Sequence, residues 1–428
     1  MEIERLTRFN EWWTTKKVRE NFIMPYRRPL FSQIIRYIED RQIILLYGLR
    51  RVGKTSLLYQ IIQELLAKRV NENNILYFSF DDITADIEDL IKTYEEKILT
   101  KSINSSRTYI FLDEIQKAKD WENKLKIYYD LHPNIKFIIS GSASVQLEKK
   151  AKESLAGRII DFKLEPLTFE EFLKFKNIKI NRKKLEISQK EILPSFYDYL
   201  KKGGFPEIVN EEDNEKVRLY IRSLIEKILY QDLPIEFKLK DLDLLRVLIE
   251  MIAINPGMII NFEKLSINLK RNKNTIIDYF YYLQYSLIIR LVSNYREGFL
   301  VSSRKLKKVY LTNTAISFAF SEDYSEKFFE KIFENYAIIS SDAKNYYRNK
   351  NEIDIILKKK GKIIPIEVKY GNVDEKDIIN FLNNYSLKST IILTKETFGK
   401  KVIGKKEINY IPLWAFSIYK EDYLNNLK

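Results

Sequence analysis

The chain has 428 residues, no cysteine, one histidine and 73 Lys+Arg against 59 Asp+Glu, a formal net charge of +14. That length has room for several domains with cores of their own, and the charge favours polyanionic partners without bearing on fold. The missing cysteines exclude disulfides and thiol chemistry, and the lone His132, in a Leu-His-Pro context, excludes HExxH zinc sites, so catalysis would fall to carboxylates, lysine or a bound ion.

In chain order, residues 1 to about 165 alternate strand-like apolar runs (43–47, 75–80, 109–112, 137–139) with helical periodicity. This predicts an α/β unit on a parallel sheet. Residues from about 166 to 320 read mostly as helix, at 168–176, 192–201, 216–231 and 241–254. From about 325, a helix over 326–340 leads to strands at 345–348, 352–357 and 363–369, a helix over 375–385, and strands near 389–394 and 410–415. The charged start, Met1-Glu2-Ile3-Glu4-Arg5, and the lack of any apolar run near about 18 residues predict a cytoplasmic protein with no membrane contact.

The segment Gly48-Leu49-Arg50-Arg51-Val52-Gly53-Lys54-Thr55 is a full GxxxxGK[ST] phosphate loop, with an apolar strand before it and a helix from Ser56 after it. Its glycines let backbone N–H groups curl around phosphates at the positive end of a helix dipole. Lys54 is expected on the β- and γ-phosphates of ATP and Thr55 on Mg²⁺. Downstream, Tyr109-Ile110-Phe111-Leu112-Asp113-Glu114 is a buried strand ending in two acids. Asp113 is expected to hold Mg²⁺ through water and Glu114 to polarise the attacking water. Ser140 and Ser142 end the next strand and read equally as γ-phosphate sensors or as turn residues. Arg158, before another apolar strand, is an arginine-finger candidate, acting in cis or from a neighbour in a homo-oligomer.

Together these residues resemble an AAA-type P-loop ATPase. Asp81-Asp82, Ser154-Leu155-Ala156-Gly157-Arg158 and Leu164-Glu165-Pro166-Leu167-Thr168-Phe169-Glu170-Glu171-Phe172 resemble one prokaryotic branch of that group. The resemblance implies an α/β ATPase core (1–165), a helical lid (166–235), a winged helix (236–322) and an α/β restriction-endonuclease-like domain (323–428). Gly203-Gly204-Phe205-Pro206 is similar to the lid's glycine–proline motif, which implies that Pro206 packs on the nucleotide base. Asn313 stands where the branch usually has aspartate, at a structural position.

Between Lys264 and Lys308 lie ten Lys/Arg and two acids, Asp278 and Glu297, more than half of the chain's positive excess. Two short helical patterns flank a basic turn at 270–273, and a hairpin-like stretch follows with Gly298 near its tip. This reads as helix-turn-helix plus wing. Lys270, Arg271, Lys273, Arg304, Lys305 and Lys308 are expected to contact DNA phosphates, with Asn274 at the start of the recognition helix. A spacer or protein-docking role is the alternative.

In the last region, Glu352-Ile353-Asp354 and Ile366-Glu367-Val368-Lys369 form a hairpin pattern. Glu367 and Lys369 share one strand face, and the partner strand brings Asp354 to the same edge. Asp354 and Glu367 are expected to hold a metal, with Lys369 steadying the attacking water and Glu334 as a further ligand. The set resembles the PD-(D/E)xK nuclease core. A nucleotide-switched DNA-binding or signalling protein whose nuclease-like domain does not cut is the runner-up.

Overall fold

The structure is a computed structural model describing residues 3–24, 26–81, 85–142, 153–181, 185–296, 306–359 and 361–427. The chain divides into two units, Met1–Pro166 and Leu167–Lys428.

The first unit is built on five parallel strands: β1 (Ile43–Tyr47), β2 (Ile75–Ser79), β3 (Thr108–Asp113), β4 (Ile135–Gly141) and β5 (Ile159–Lys163). Their order is β2-β3-β4-β1-β5. β1, β3 and β4 are buried along their whole length, which is why they read as continuous apolar runs instead of alternating ones. The β5 edge is only half-buried. The β2 edge is covered by the N-terminal segment: the Asn10 amide donates to Tyr77 O at 2.8 Å and accepts from Tyr77 N at 2.6 Å. The Trp12 and Trp13 indoles both donate to Ile75 O. A side-chain amide thus stands in for a neighbouring strand and blunts the edge. Because every strand is parallel, the residues that follow β1, β3 and β4 emerge together at the carboxyl edge of the sheet.

The second unit opens with helices Phe169–Phe175, Leu185–Lys202 and Asn214–Lys227. The first starts from a capping box made by Thr168 and Glu171. Helices Leu242–Ile254, Phe262–Leu269 and Lys273–Tyr285 follow, then the antiparallel pair β6 (Ile289–Asn294) and β7 (Lys307–Leu311). Helix Glu326–Ser341 leads into β8 (Asn345–Arg348), β9 (Glu352–Ile353), β10 (Ile355–Lys359), β11 (Lys362–Lys369), helix Lys376–Asn384, β12 (Ser389–Thr394), β13 (Gly399–Ile403), β14 (Lys406–Pro412) and helix Leu413–Asn425. One sheet runs β10-β11-β12-β14-β13 and another β7-β6-β8-β9. Phe172, Phe196 and Tyr199 share one buried cluster with Phe333, Tyr336 and Trp414, so the early helices and the C-terminal strands have a common core.

Three expectations change. The strand over 352–357 is broken at Asp354: β9 pairs with β8, whereas β10 pairs with β11. The strand near 410–415 stops at Pro412, which lacks an N–H for a ladder, and Leu413, Trp414 and Phe416 enter the core from a helix. β13 was not expected at all. Among the described residues no helix is long and apolar enough to cross a membrane.

Candidate functional site

β1 delivers loop 48–53 to the carboxyl edge, and helix Lys54–Ala67 follows directly. Gly53 has φ +95°, and a Cβ on Gly48 would lie 2.1 Å from Leu164 O, so neither position accepts a side chain. Arg51 also has positive φ, 61°. Val52 is fully buried and anchors the turn between Arg50, Arg51 and the helix. Lys54 is 5% exposed; its Nζ donates to Gly48 O at 3.3 Å and Leu49 O at 3.0 Å and lies 4.0 Å from Glu114 Oε1. Thr55 and Ser56 occupy the first turn of the helix, whose unpaired N–H groups and dipole favour an anion.

Asp113, the last residue of β3 and 2% exposed, is where the parts meet. Thr55 Oγ1 donates to its Oδ2 at 2.6 Å, and the Tyr77 hydroxyl donates to the same oxygen at 2.9 Å. The Ser140 hydroxyl donates to Oδ1, which also accepts from Glu114 N at 3.1 Å. Ser140 can do this because β4 lies between β1 and β3. Burial, then the Asp113 charge, pushes the Tyr77 phenol well up, so it remains a donor. Glu114 has φ +54°, a strained conformation for a residue with a side chain; its Oε2 accepts from Gln116 Nε2 at 2.6 Å. Thr55 and Asp113 together offer the hard oxygen donors that a small divalent cation takes.

Tyr77 and Gln116 escaped the sequence reading. Tyr77 pairs with Phe111, which puts it on the face that Asp113 shares two residues later, but that parity exists only once the β2–β3 register is known. His132 is exposed, stacked on Tyr128, with Nδ1 3.1 Å from Asn104 Oδ1.

For Arg158, only the finger acting in cis is corrected. Its carbonyl accepts from Ile43 N at 2.8 Å and it precedes β5, so it lies at the amino edge of the sheet, opposite its own chain's phosphate loop. A five-residue strand spans ~16 Å, too far for a finger in cis. Its guanidinium pairs with Asp130 through Nε at 3.0 Å and Nη2 at 3.1 Å, and the Arg158 hydrogen bond holds the Asp130 carboxyl below its usual range.

Pro206 lies in the second unit, where it opens a buried 3₁₀ turn, Pro206–Ile208. Gly203 and Gly204 have φ +64° and +71°. Asn313 Nδ2 donates to Gly203 O at 2.7 Å while its Oδ1 accepts from Ala315 N at 3.0 Å. The first bond needs an amide donor, which an aspartate lacks.

Helices Phe262–Leu269 and Lys273–Tyr285 flank the basic turn. Lys270 and Asn274 are exposed there, and Asn274 N donates to the Asn272 side chain at 2.8 Å. Arg271 Nε pairs with Asp241 at 2.6 Å, and Lys273 Nζ with Glu263 at 2.7 Å. Asp82, Arg304, Lys305 and the Gly298 tip lie outside the described residues. Lys308 is a second correction: it is 5% exposed, and its Nζ lies 2.9 Å from Glu334 Oε1 and 2.7 Å from Glu352 Oε1. Burial alone would lower its pKa, but Glu334, Asp354 and Glu352 raise it above the ordinary lysine value. It is therefore a core cation and not a surface phosphate contact.

At the break between β9 and β10, Asp354 Oδ2 accepts from Val368 N at 2.9 Å, and Asp354 N donates to Glu367 Oε2 at 3.4 Å. Lys369 Nζ lies 2.9 Å from Glu367 Oε1. The hairpin therefore assembles Asp354, Glu367 and Lys369. Burial, then Glu367 and Glu334, push the Asp354 carboxyl well above the usual range, and burial raises Glu367 despite Lys369. Glu334 does not join as a free ligand, because Lys308 and the Tyr310 hydroxyl hold it. Among the described residues no three acidic, histidine or cysteine side chains converge as a metal cage.

Residues 193–326 and 329–416 match two domains of unknown function, DUF8612 and DUF4143. The chain is similar to an uncharacterized protein of Methanocaldococcus jannaschii, MJ1544, at 26% identity over 407 residues, covering 88% of each chain. It is also similar to an uncharacterized protein of Haemophilus influenzae at 25% identity, covering 91% of this chain and 98% of that one. Among solved structures it is similar to the Walker-type ATPase PABY2304 of Pyrococcus abyssi, at 17% identity and a TM-score of 0.46, over 71% of this chain and 97% of that one. Residues 40–173 match the family model of an AAA domain, and with the phosphate loop, the acid-tipped strand and the parallel sheet they constitute an AAA-type P-loop domain.

Proposed function

We propose that the chain hydrolyses ATP with Mg²⁺ at loop 48–56, Asp113 and Glu114, and that its nucleotide state governs nucleic-acid binding by the second unit. The observation that carries the first part is the 2.6 Å bond between Thr55 and Asp113, which joins phosphate loop and acidic strand in one site. Mg²⁺ bound at this pair would draw charge from the phosphates. Lys54 would neutralise the β/γ-phosphates as the terminal bond breaks. Glu114, oriented by Gln116, would position water and accept its proton. Ser140 and Tyr77 would keep the Asp113 carboxylate aimed throughout. Lys54→Ala should abolish phosphate release while far-UV circular dichroism stays unchanged; undiminished turnover would sink the assignment.

For the second unit, the helix-turn-helix followed by an antiparallel pair supports a winged-helix reading in which Lys270, Arg271, Lys273 and Asn274 meet DNA. The pairs on Arg271 and Lys273 are exposed, and such pairs are weak enough to yield to phosphate. Duplex affinity that ignores added salt would refute phosphate contact. A second reading, that nucleic acid is held and not cut, is favoured by Lys308 lying against Glu334 and Glu352. Plasmid incubated with Mg²⁺ or Mn²⁺, wild type beside Asp354→Ala, separates the two: nicking lost in the variant supports a nuclease.

A further inference from the structure

We propose that Lys308 is the resident cation of the C-terminal carboxylate cluster, an ammonium built into the fold that serves in place of a divalent metal, so that this site takes up neither Mg²⁺ nor Mn²⁺. The proposal deepens the second reading above and stands apart from ATP turnover.

Four carboxylates lie around Lys308 without closing on a common point: Glu334 and Glu352 touch its Nζ, Asp354 is electrostatically coupled to it, and Asp354 N donates to Glu367. The resemblance to a nuclease core implies a metal among them, but the donors do not fit one. A divalent ion needs several oxygens free to converge at about 2.0–2.6 Å. Instead, Lys308 Nζ already sits 2.9 Å from Glu334 and 2.7 Å from Glu352, and it lies 5.3 Å from the centre of the Tyr346 ring. The Tyr310 hydroxyl takes a further lone pair of Glu334. Lys369 holds Glu367, and Asp354 is turned onto the Val368 amide. A metal entering this cluster would face two ammonium groups at short range in a buried setting, where charges are poorly screened.

The backbone that delivers Lys308 is fixed on both sides. β7 pairs with β6, with Lys308 opposite Val292. On its other side Ile260 N donates to Lys307 O at 2.8 Å, Val309 N to Met258 O at 3.0 Å and Gly257 N to Val309 O at 2.7 Å. The side chain is thus delivered by a strand laddered along both edges, unlike a lysine on a loop that withdraws when an ion arrives. Both acids that it touches come from later in the chain, Glu334 from helix Glu326–Ser341 and Glu352 from β9.

The test counts Mn²⁺ bound to the full chain without nucleotide, by the electron paramagnetic resonance of the free ion. Wild type and Asp354→Asn should bind the same number of equivalents. Lys308→Met should bind one equivalent more, and Lys308→Met combined with Asp354→Asn should lose it. A Mn²⁺ ion on the wild type that Asp354→Asn abolishes would overturn the proposal, as would a folded Lys308→Met that gains no ion. Should Lys308→Met fail to fold, the wild type against Asp354→Asn decides alone. Absence of plasmid cleavage together with such a Mn²⁺ ion would leave the non-cutting reading standing while removing Lys308 from its explanation.

Discussion

Tyr77→Phe removes one oxygen and leaves a ring of the same shape tilted against Tyr59, whose centroid is 4.7 Å away. The lost hydroxyl donates at 2.9 Å to Asp113 Oδ2, a buried charged acceptor that keeps Thr55 on the same oxygen and Ser140 and the Glu114 amide on the other. Hydrogen bonds to charged groups contribute ~1.5–3 kcal/mol. Because three donors remain, the lower part of that range applies, about 1.5–2 kcal/mol, or roughly ten- to thirtyfold at 1.4 kcal/mol per decade. The loss should appear where the orientation of Asp113 matters, as a rise in the Mg²⁺ concentration that half-saturates phosphate release at fixed ATP. Tyr109→Phe supplies the matched control, since its hydroxyl bonds Glu39 at 3.0 Å near the start of β3, the strand that ends in Asp113, and has no bond to the site. Equal Mg²⁺ curves for the two variants would refute a positioning role for Tyr77.

Arg158→Ala should leave turnover within about twofold and cost no more than an exposed ion pair does; a collapse of turnover at every protein concentration would return Arg158 to the site. Lys136 is wholly buried and donates to Tyr37 O at 2.8 Å, Asp40 O at 2.9 Å and Gln42 O. Lys136→Met, which strands those carbonyls, should lower unfolding free energy by about 2 kcal/mol or more, read by denaturant titration. Asp354 gives a pH dependence. Its folded pKa is raised by burial and by Glu367, so its contribution to stability is complete below the unfolded value and is lost as pH climbs through the folded one. The unfolding midpoint of the second unit should therefore fall over that climb, and less so in Asp354→Asn; parallel curves would count against it.

The phosphate loop and the Asp113 strand were legible because their chemistry is contiguous: an apolar run, a glycine turn and a helix lie side by side in the chain. The cis alternative for Arg158 is illegible as an error in the sequence because nothing local says which edge of a parallel sheet a strand starts from; only its pairing, Ile43 with Ile159, does that. Lys308 reads as a surface charge because it stands beside Lys307, and the carboxylates that claim it lie 26 and 44 residues further along. The break at Asp354 was hidden for the same reason, since each half of the run looks like strand and differs only in which partner it takes. Tyr77 needed the register of two strands more than thirty residues apart.

The parallel pairing of β6 with β8, Ser293 to Asn345 and Asn294 to Tyr346, has a consequence for heredity. A genetic crossover between residues 312 and 344 would bring together a hairpin and a C-terminal sheet with separate histories. It would split the strand pair and, if it fell before residue 334, set the ammonium of one parent against the acids of the other. The two halves of the second unit are therefore expected to travel together through evolution, and a change at 308 to require an answering change at 334 or 352.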